Sequence, residues 1–189
     1  MGKKAIWLVI ALIVCAGLFL YFKQGAAPQA GGKNQAQQTQ QPGSGTASSP
    51  TAQDIRQLKN IDNFRPNALQ HILEGEVNKA GKATGFHYEG LPSAKGRVIP
   101  GTQSPVNQFG VYKAKVQVEG KAKEDNGGES TFFPKAWSAQ QVVDAINEAY
   151  AKRTHRTGNI YAGETSRGMR INMYIDEGTG KIISAFPQY

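Results

Sequence analysis

Residues 130–152 read STFFPKAWSAQQVVDAINEAYAK, and the two halves of this stretch follow different periods. Ser130–Phe133 is a short strand candidate that stops at Pro134, which has no N–H for a ladder. Ser138 and Gln141 fit an S-x-x-Q capping box, in which each side chain satisfies a backbone N–H that the first helical turn leaves unpaired. Trp137 and Val142 stand where a hydrophobic staple would close that end. Val142, Val143, Ile146, Ala149 and Tyr150 then fall on one stripe of a helix over 138–152. Working outward, Glu124-Asp125-Asn126-Gly127-Gly128 is a turn. Before it, Val111–Glu119 alternates, with Tyr112, Ala114, Val116 and Val118 on one face and Lys113, Lys115, Gln117 and Glu119 on the other. That is the pattern of a half-buried strand. After the helix, Met169–Asp176 alternates again, Glu177–Gly180 turns the chain, and Lys181–Phe186 returns as the last strand. Upstream, Arg65-Pro66-Asn67 opens a short helix through about Glu74, with Gly75 as its stop. Residues 78–110 hold nine Gly or Pro and read as loops. The predicted order is helix, loops, strands, helix, hairpin: a small α+β domain with an antiparallel sheet.

The globular pattern begins near Ile55. Residues 24–54 are rich in Gln, Gly, Ala, Ser and Pro, with no aromatic and no other apolar residue besides alanine before Ile55. Such a composition cannot bury enough apolar area to offset chain entropy, so a disordered linker is expected. Ala5–Phe22 is an unbroken apolar run. Eighteen residues at about 1.5 Å rise span roughly 27 Å, enough to cross a bilayer's hydrocarbon core. Residues 1–23 are therefore expected to be a transmembrane anchor. The competing reading is a signal peptide, which would end in a small-residue cleavage site; here Pro28 follows Ala26-Ala27. Lys3 and Lys4 before the run favour a cytoplasmic N-terminus. The expected location is single-pass membrane with the domain on the periplasmic or extracellular side, or secreted if the segment is cleaved.

The net charge is +8, from 22 basic and 14 acidic residues. The first 50 residues supply four lysines and no acid. A positive balance admits an anionic partner without naming one. The chain has a single cysteine, Cys15, and three histidines. That excludes an intrachain disulfide, and it excludes a structural zinc site built from four cysteines or from a pair of cysteines and a pair of histidines.

His71, in His-Ile-Leu-Glu-Gly-Glu, and His87, in Gly-Phe-His-Tyr-Glu-Gly, are the residues with chemical potential. Three readings stand open on spacing alone. They are unrelated polar residues; or metal ligands, with Glu74 or Glu89 as a third; or an acid–base pair, since imidazole titrates near neutrality and two rings can hold opposite protonation states.

Taken in order, His71–Glu76, Gly85–Gly90, Thr131–Ser138 before the capped helix, Gly163-Glu164-Thr165-Ser166 before a strand, and Ser184-Ala185-Phe186-Pro187 resemble the bacterial EndoU endoribonuclease domain of contact-dependent inhibition and other polymorphic toxins. The resemblance covers about residues 60–189. It implies an EndoU/barnase-like toxin ribonuclease fold over 55–189. It also implies an enzyme that cleaves single-stranded RNA, tRNA included, by 2′-OH attack to a 2′,3′-cyclic phosphate. It implies two histidines and a lysine: His71, His87 and, just before the capped helix, Lys135, with Lys113 and Lys115 as runners-up. By family analogy His87 is the base and His71 the acid, an orientation the residues alone leave open. A Ser or Thr near the base site falls on Thr165 or Ser166. Phe186 stands where several relatives carry a tyrosine, leaving the hydroxyl to Tyr189 or Tyr174. No metal is expected; manganese is the cofactor that analogy with eukaryotic relatives leaves open. The implied partners are RNA, the membrane through residues 5–22 and a cognate immunity protein. DNA, which lacks the 2′-OH, is not expected to be cleaved.

Simpler readings accompany these. Lys152-Arg153-Thr154-His155-Arg156 either complements the helix dipole or contacts RNA backbone. Trp137, Phe132 and Phe133 read as core, and Lys113 and Lys115 as a solvated face. The alternative for the whole chain is a non-catalytic basic module that binds RNA or another polyanion; a metal-dependent hydrolase is a third class.

Overall fold

A computed structural model describes residues 54–189. The expected anchor at 1–23 and all but the last residue of the expected linker lie outside the described residues. Among the described residues no helix is long and apolar enough to cross a membrane.

In chain order the elements are a 3-10 turn at Ile55–Gln57, a π-type turn at Gln70–Glu74, then β1 (Glu76–Val77), β2 (Ala83–Thr84), β3 (Gly96–Val98), β4 (Tyr112–Val118), β5 (Lys121–Ala122), a 3-10 turn at Asp125–Gly128, and β6 (Glu129–Phe132). They continue with α1 (Ala139–Ala151), β7 (Thr154–Thr157), β8 (Ile160–Glu164), β9 (Arg170–Ile175) and β10 (Ile182–Pro187). The architecture is mixed α and β with antiparallel sheets and few helices. One sheet runs β10-β9-β8-β7; in the other, β4 pairs with β3, β5 and β6, and β1–β2 is a separate hairpin.

Local chemistry accounts for the elements that the sequence reveals. Strand β4 buries Tyr112, Ala114, Val116 and Val118 and turns its lysines outward. Helix α1 carries both halves of the capping box: Gln141 N–H donates to Ser138 Oγ at 3.2 Å, and Ser138 N–H donates to Gln141 Oε1 at 2.7 Å. Its stripe of Val142, Val143, Ile146 and Ala149 is fully buried. Helix and sheet approach closely at Gly163, where a Cβ would lie 1.9 Å from the Ala149 carbonyl oxygen. Any side chain there would push α1 off β8.

Two elements differ from expectation. The helix expected through Glu74 is a single wide turn, because Gly75 N–H reaches back five residues to Gln70 O at 3.0 Å. Two of its carbonyls, at His71 and Ile72, accept from Phe86 and His87 instead of continuing a helix. The segment after α1 shows only a basic cluster in the sequence, yet Thr154–Thr157 pairs with Ile160–Glu164 as a hairpin. All four β7 residues are exposed, so this strand lacks the apolar alternation by which strands are recognised.

Strand β10 lies against β6 and against the Gln70–Glu74 turn. That junction brings the two sheets and both histidine-bearing segments to one place.

Candidate active site

The Gly85–His87 segment anchors the site. Phe86 N–H donates to His71 O at 3.0 Å, His87 N–H donates to Ile72 O at 2.7 Å, and Phe133 N–H donates to His87 O at 2.9 Å. Three separate stretches of chain are thus stitched together through the backbone. Gly85 has φ +73°, and a Cβ there would lie 2.0 Å from the His71 carbonyl oxygen. Phe86 also holds a positive φ of 61°, a conformation that costs a non-glycine residue energy and persists only where its surroundings enforce it. Gly85→Ala is therefore expected to displace the His71 turn and to lower both the melting temperature and the activity, measured by thermal unfolding and by cleavage assay on the same preparation.

His71 and His87 line one cleft of about 620 Å³, together with Thr84, Gly85, Lys113, Lys123, Asn159, Tyr174, Ser184 and Phe186 among its walls. The two rings sit in opposite electrostatic settings. His71 Nδ1 lies 3.1 Å from Glu76 Oε1. A carboxylate only accepts, so Nδ1 carries a proton and Nε2 is left for the cleft. His87 is buried, and its Nδ1–H donates to Thr131 O at 2.8 Å. Its Nε2 is then a lone-pair acceptor. Burial, reinforced by the nearby Lys123 cation, lowers the His87 pKa to about 3, so the ring is neutral at physiological pH. Phe186 stacks on it, with ring centroids 5.2 Å apart and planes inclined by 22°.

Lys123 is half-buried. Its Nζ donates to Ser130 Oγ at 2.9 Å, and Ser130 Oγ donates to Gly85 O at 3.1 Å. Burial lowers its pKa. Among the described residues it has no carboxylate within ion-pair distance. Lys113, the other lysine of the cleft, faces Glu129 at 3.8 Å and lies over the Tyr189 ring at 4.9 Å.

The remaining sequence expectations divide. Lys135 does not line this cleft. Its Nζ pairs with Glu89 at 3.0 Å, donates to Gln103 at 2.9 Å and lies over the Tyr112 ring. Glu89 also accepts from the Tyr112 hydroxyl, so the Lys135 charge is drawn to that carboxylate. Thr165 and Ser166 line a different groove, of about 380 Å³, with Phe109, Trp137, Glu148 and Arg167. Thr165 Oγ1 is occupied by the Met169 N–H at 3.1 Å, and Ser166 N–H donates to Glu148 at 2.5 Å. The first bond closes a turn and the second ties that turn to α1. Phe186 lies in the cleft, but His87 covers one of its faces. Tyr189 lies outside the lining, its hydroxyl donating to Pro105 O at 3.0 Å, while Tyr174 does line it. Lys123, Asn159 and Ser184 also line the cleft without having been singled out in the sequence. Ser184 is within reach of sequence reasoning: strand alternation puts it on the same face as Phe186. Lys123 follows a two-residue strand and carries no motif. Among the described residues no three His, Cys, Asp or Glu side chains converge as a metal donor set.

The model of a family described as bacterial EndoU nuclease matches residues 66–189. A protein of Bacillus cereus named Toxin is 56% identical over 133 residues, which is 70% of this chain and 24% of that protein. The chain thus spans about a quarter of the length of the curated relative it matches. No solved structure matches it significantly.

Proposed function

The chain belongs to the bacterial EndoU nuclease family, and from that premise we propose that it cuts single-stranded RNA without metal, by attack of a ribose 2′-OH on the adjacent phosphodiester. The observation that carries this is the pair of imidazoles on one cleft with opposite neighbours: a carboxylate beside His71, burial and a lysine around His87. His87 Nε2 accepts the 2′-OH proton as the oxygen attacks phosphorus. His71 Nε2 donates a proton to the departing 5′-oxygen, and Glu76 balances the ring's charge before transfer. The products are a 2′,3′-cyclic phosphate and a 5′-hydroxyl, with one proton gained and one given up by the protein. Lys123, with Lys113 also on the cleft wall, supplies positive charge to the phosphorane oxygens as negative charge develops on them in the transition state. Ser184 and Tyr174 offer hydroxyls to the base or sugar, and Phe186 holds the His87 ring in place.

The test is to incubate the purified chain with RNA in EDTA and to analyse the new ends. Cyclic-phosphate ends are expected. RNA that stays intact while bound would sink the enzymatic proposal and leave a binding module. A requirement for added manganese would sink its metal-free form.

For the whole protein, we propose a toxin-like effector with residues 1–23 as anchor and 24–54 as tether, the domain facing the periplasm or exterior, and an immunity protein protecting the cytosol. The apolar run and the similarity to a protein named Toxin support this. Fractionation of producing cells is expected to find the chain in membranes; recovery of the intact chain from the cytosol would count against it.

A further inference from the structure

The β7–β10 sheet has one face packed on α1 and the core; its other face meets His87 and the 70–74 turn at β10, and Tyr174, Asn172 and Thr154 on it are half-exposed or exposed. Ile171, Met173 and Ile175 of β9 are buried, as are Ala185 and Pro187 of β10. The alternate residues point the other way. The register sets them in rows: Ser184 beside Tyr174 beside Ile160, then Phe186 beside Asn172 beside Ala162 beside Thr154, then Arg170 beside Glu164. The first two rows begin in the cleft, since Ser184, Tyr174 and Phe186 are its walls. Asn159, in the β7–β8 turn, is another wall. The catalytic cleft and the open sheet face are therefore one continuous surface.

Moving away from the cleft, that surface changes from aromatic to amide to cationic. Tyr174 is half-exposed. Gln188 Nε2 donates to Asn172 Oδ1 at 2.8 Å, which lays two amides side by side. Beyond them a hollow of about 190 Å³ is lined by Ala162, by the cations Arg156, Arg170 and Lys152, by Thr154 and by one acid, Glu164. The alanine is what makes the hollow: a larger residue at that register would fill it. Arg170 is shared with Glu164 at 3.4 Å and Lys152 with Glu148 at 3.3 Å. Arg156 is exposed and has no carboxylate partner among the described residues. Glu164 is the one acid in these rows. From Tyr174 to Arg170 the distance along β9 is about 14 Å.

We propose that this open sheet face carries the RNA strand flanking the cut bond, with a neighbouring base against Tyr174 and a backbone phosphate in the hollow between Arg156 and Arg170. Single-stranded nucleic acid is the occupant that matches both ends of the surface, because aromatic faces take bases of any sequence and arginines take phosphates. The inference rests on the ribonuclease reading and extends it beyond the reacting nucleotide. It makes the enzyme sensitive to substrate length, which the cleft alone would not.

The experiment compares kcat/KM on a cleavable dinucleotide with that on a single strand of about 12 nucleotides containing one ribonucleotide. The parent chain is expected to favour the longer substrate. Arg156→Glu is expected to reduce that preference about tenfold and to lower the slope of log affinity against log salt by a little under one unit. Lys59→Glu makes the same charge change on the exposed segment that packs against α1, and is expected to keep the parent's preference. An Arg156→Glu chain with the parent's melting temperature and the parent's length preference would overturn the proposal. If the parent cuts neither substrate, the ribonuclease reading fails by itself. The surface is then judged from fluorescence anisotropy with a labelled all-deoxy strand, where equal affinity of parent and Arg156→Glu overturns it and weakened binding upholds it.

Discussion

His87→Ala is expected to lower RNA cleavage by roughly a thousandfold or more, with cyclic-phosphate ends vanishing from the gel in proportion. The size follows from what the residue contributes. A 2′-OH is a poor nucleophile until its proton has somewhere to go, and His87 Nε2 is the neutral acceptor that the cleft holds in place by Nδ1–H···O=C bonding to Thr131 and by stacking on Phe186. His87→Gln keeps a polar side chain without the basic nitrogen and is expected to be equally inactive; a Gln variant within tenfold of the parent would remove His87 from the chemistry. The pH profile supplies a separate check. Because burial and Lys123 hold the free ring near 3 instead of the ordinary 6.5, the acid limb of kcat/KM is expected below the usual imidazole range. A bound phosphodiester adds negative charge beside the ring and favours the imidazolium, so the acid limb of kcat lies higher than that of kcat/KM. Stability carries the same signature. Between pH 6.5 and about 3 the unfolded chain binds a proton at this residue and the folded chain does not. Stability therefore rises with pH through that window and falls as pH drops. His87→Gln is expected to flatten this part of the curve, measured as melting temperature against pH.

The second large effect is expected at Lys123. Lys123→Ala should lower kcat by about a hundredfold to a thousandfold, the range found when one electrostatic donor to a transition state is removed. Lys123→Arg should recover part of the loss, since it restores the charge with a bulkier head. The residue has the position for this role. It is half-buried, tied to Gly85 through Ser130, and close enough to His87 to push that ring's pKa down. Lys123→Ala is also expected to move the acid limb of kcat/KM upward, because the cation beside His87 is gone; the fall in kcat at the pH optimum is what separates transition-state charge from that neighbour effect. Lys135→Ala is the comparison. If it costs more than Lys123→Ala, the transition-state charge belongs to Lys135, and the closed arrangement with Glu89 opens when substrate binds.

The elements legible in the sequence are those built from local rules. The β4 alternation, the Ser138–Gln141 capping box and the Met169–Phe186 hairpin each need only a few neighbouring residues to be recognised, and each is present. The two histidine motifs are visible for the same reason: glycines at 75, 85 and 90 flank them. What stays hidden has a common cause. Strand β7 has four exposed residues and draws its pairing from β8 rather than from any pattern of its own. Thr165 and Ser166 form a turn beside α1 on a different groove, and the register of β9 and β10 sets Tyr174 beside Ser184 in the wall of the histidine cleft. Lys135 stands just before the capped helix, whereas Lys123 follows a two-residue strand and nothing around it draws notice.

By itself, then, the amino-acid order determined most of the short segments that become strand, helix or turn, and it singled out two imidazoles as the groups with chemical potential. Only the tertiary structure decided which lysines line their cleft, which strand face meets them, and which ring is held neutral. The reason is physical. Secondary structure follows from side-chain period and capping within a few residues, whereas a cation's neighbours and a ring's burial depend on chain segments that are tens of residues away and meet only after folding.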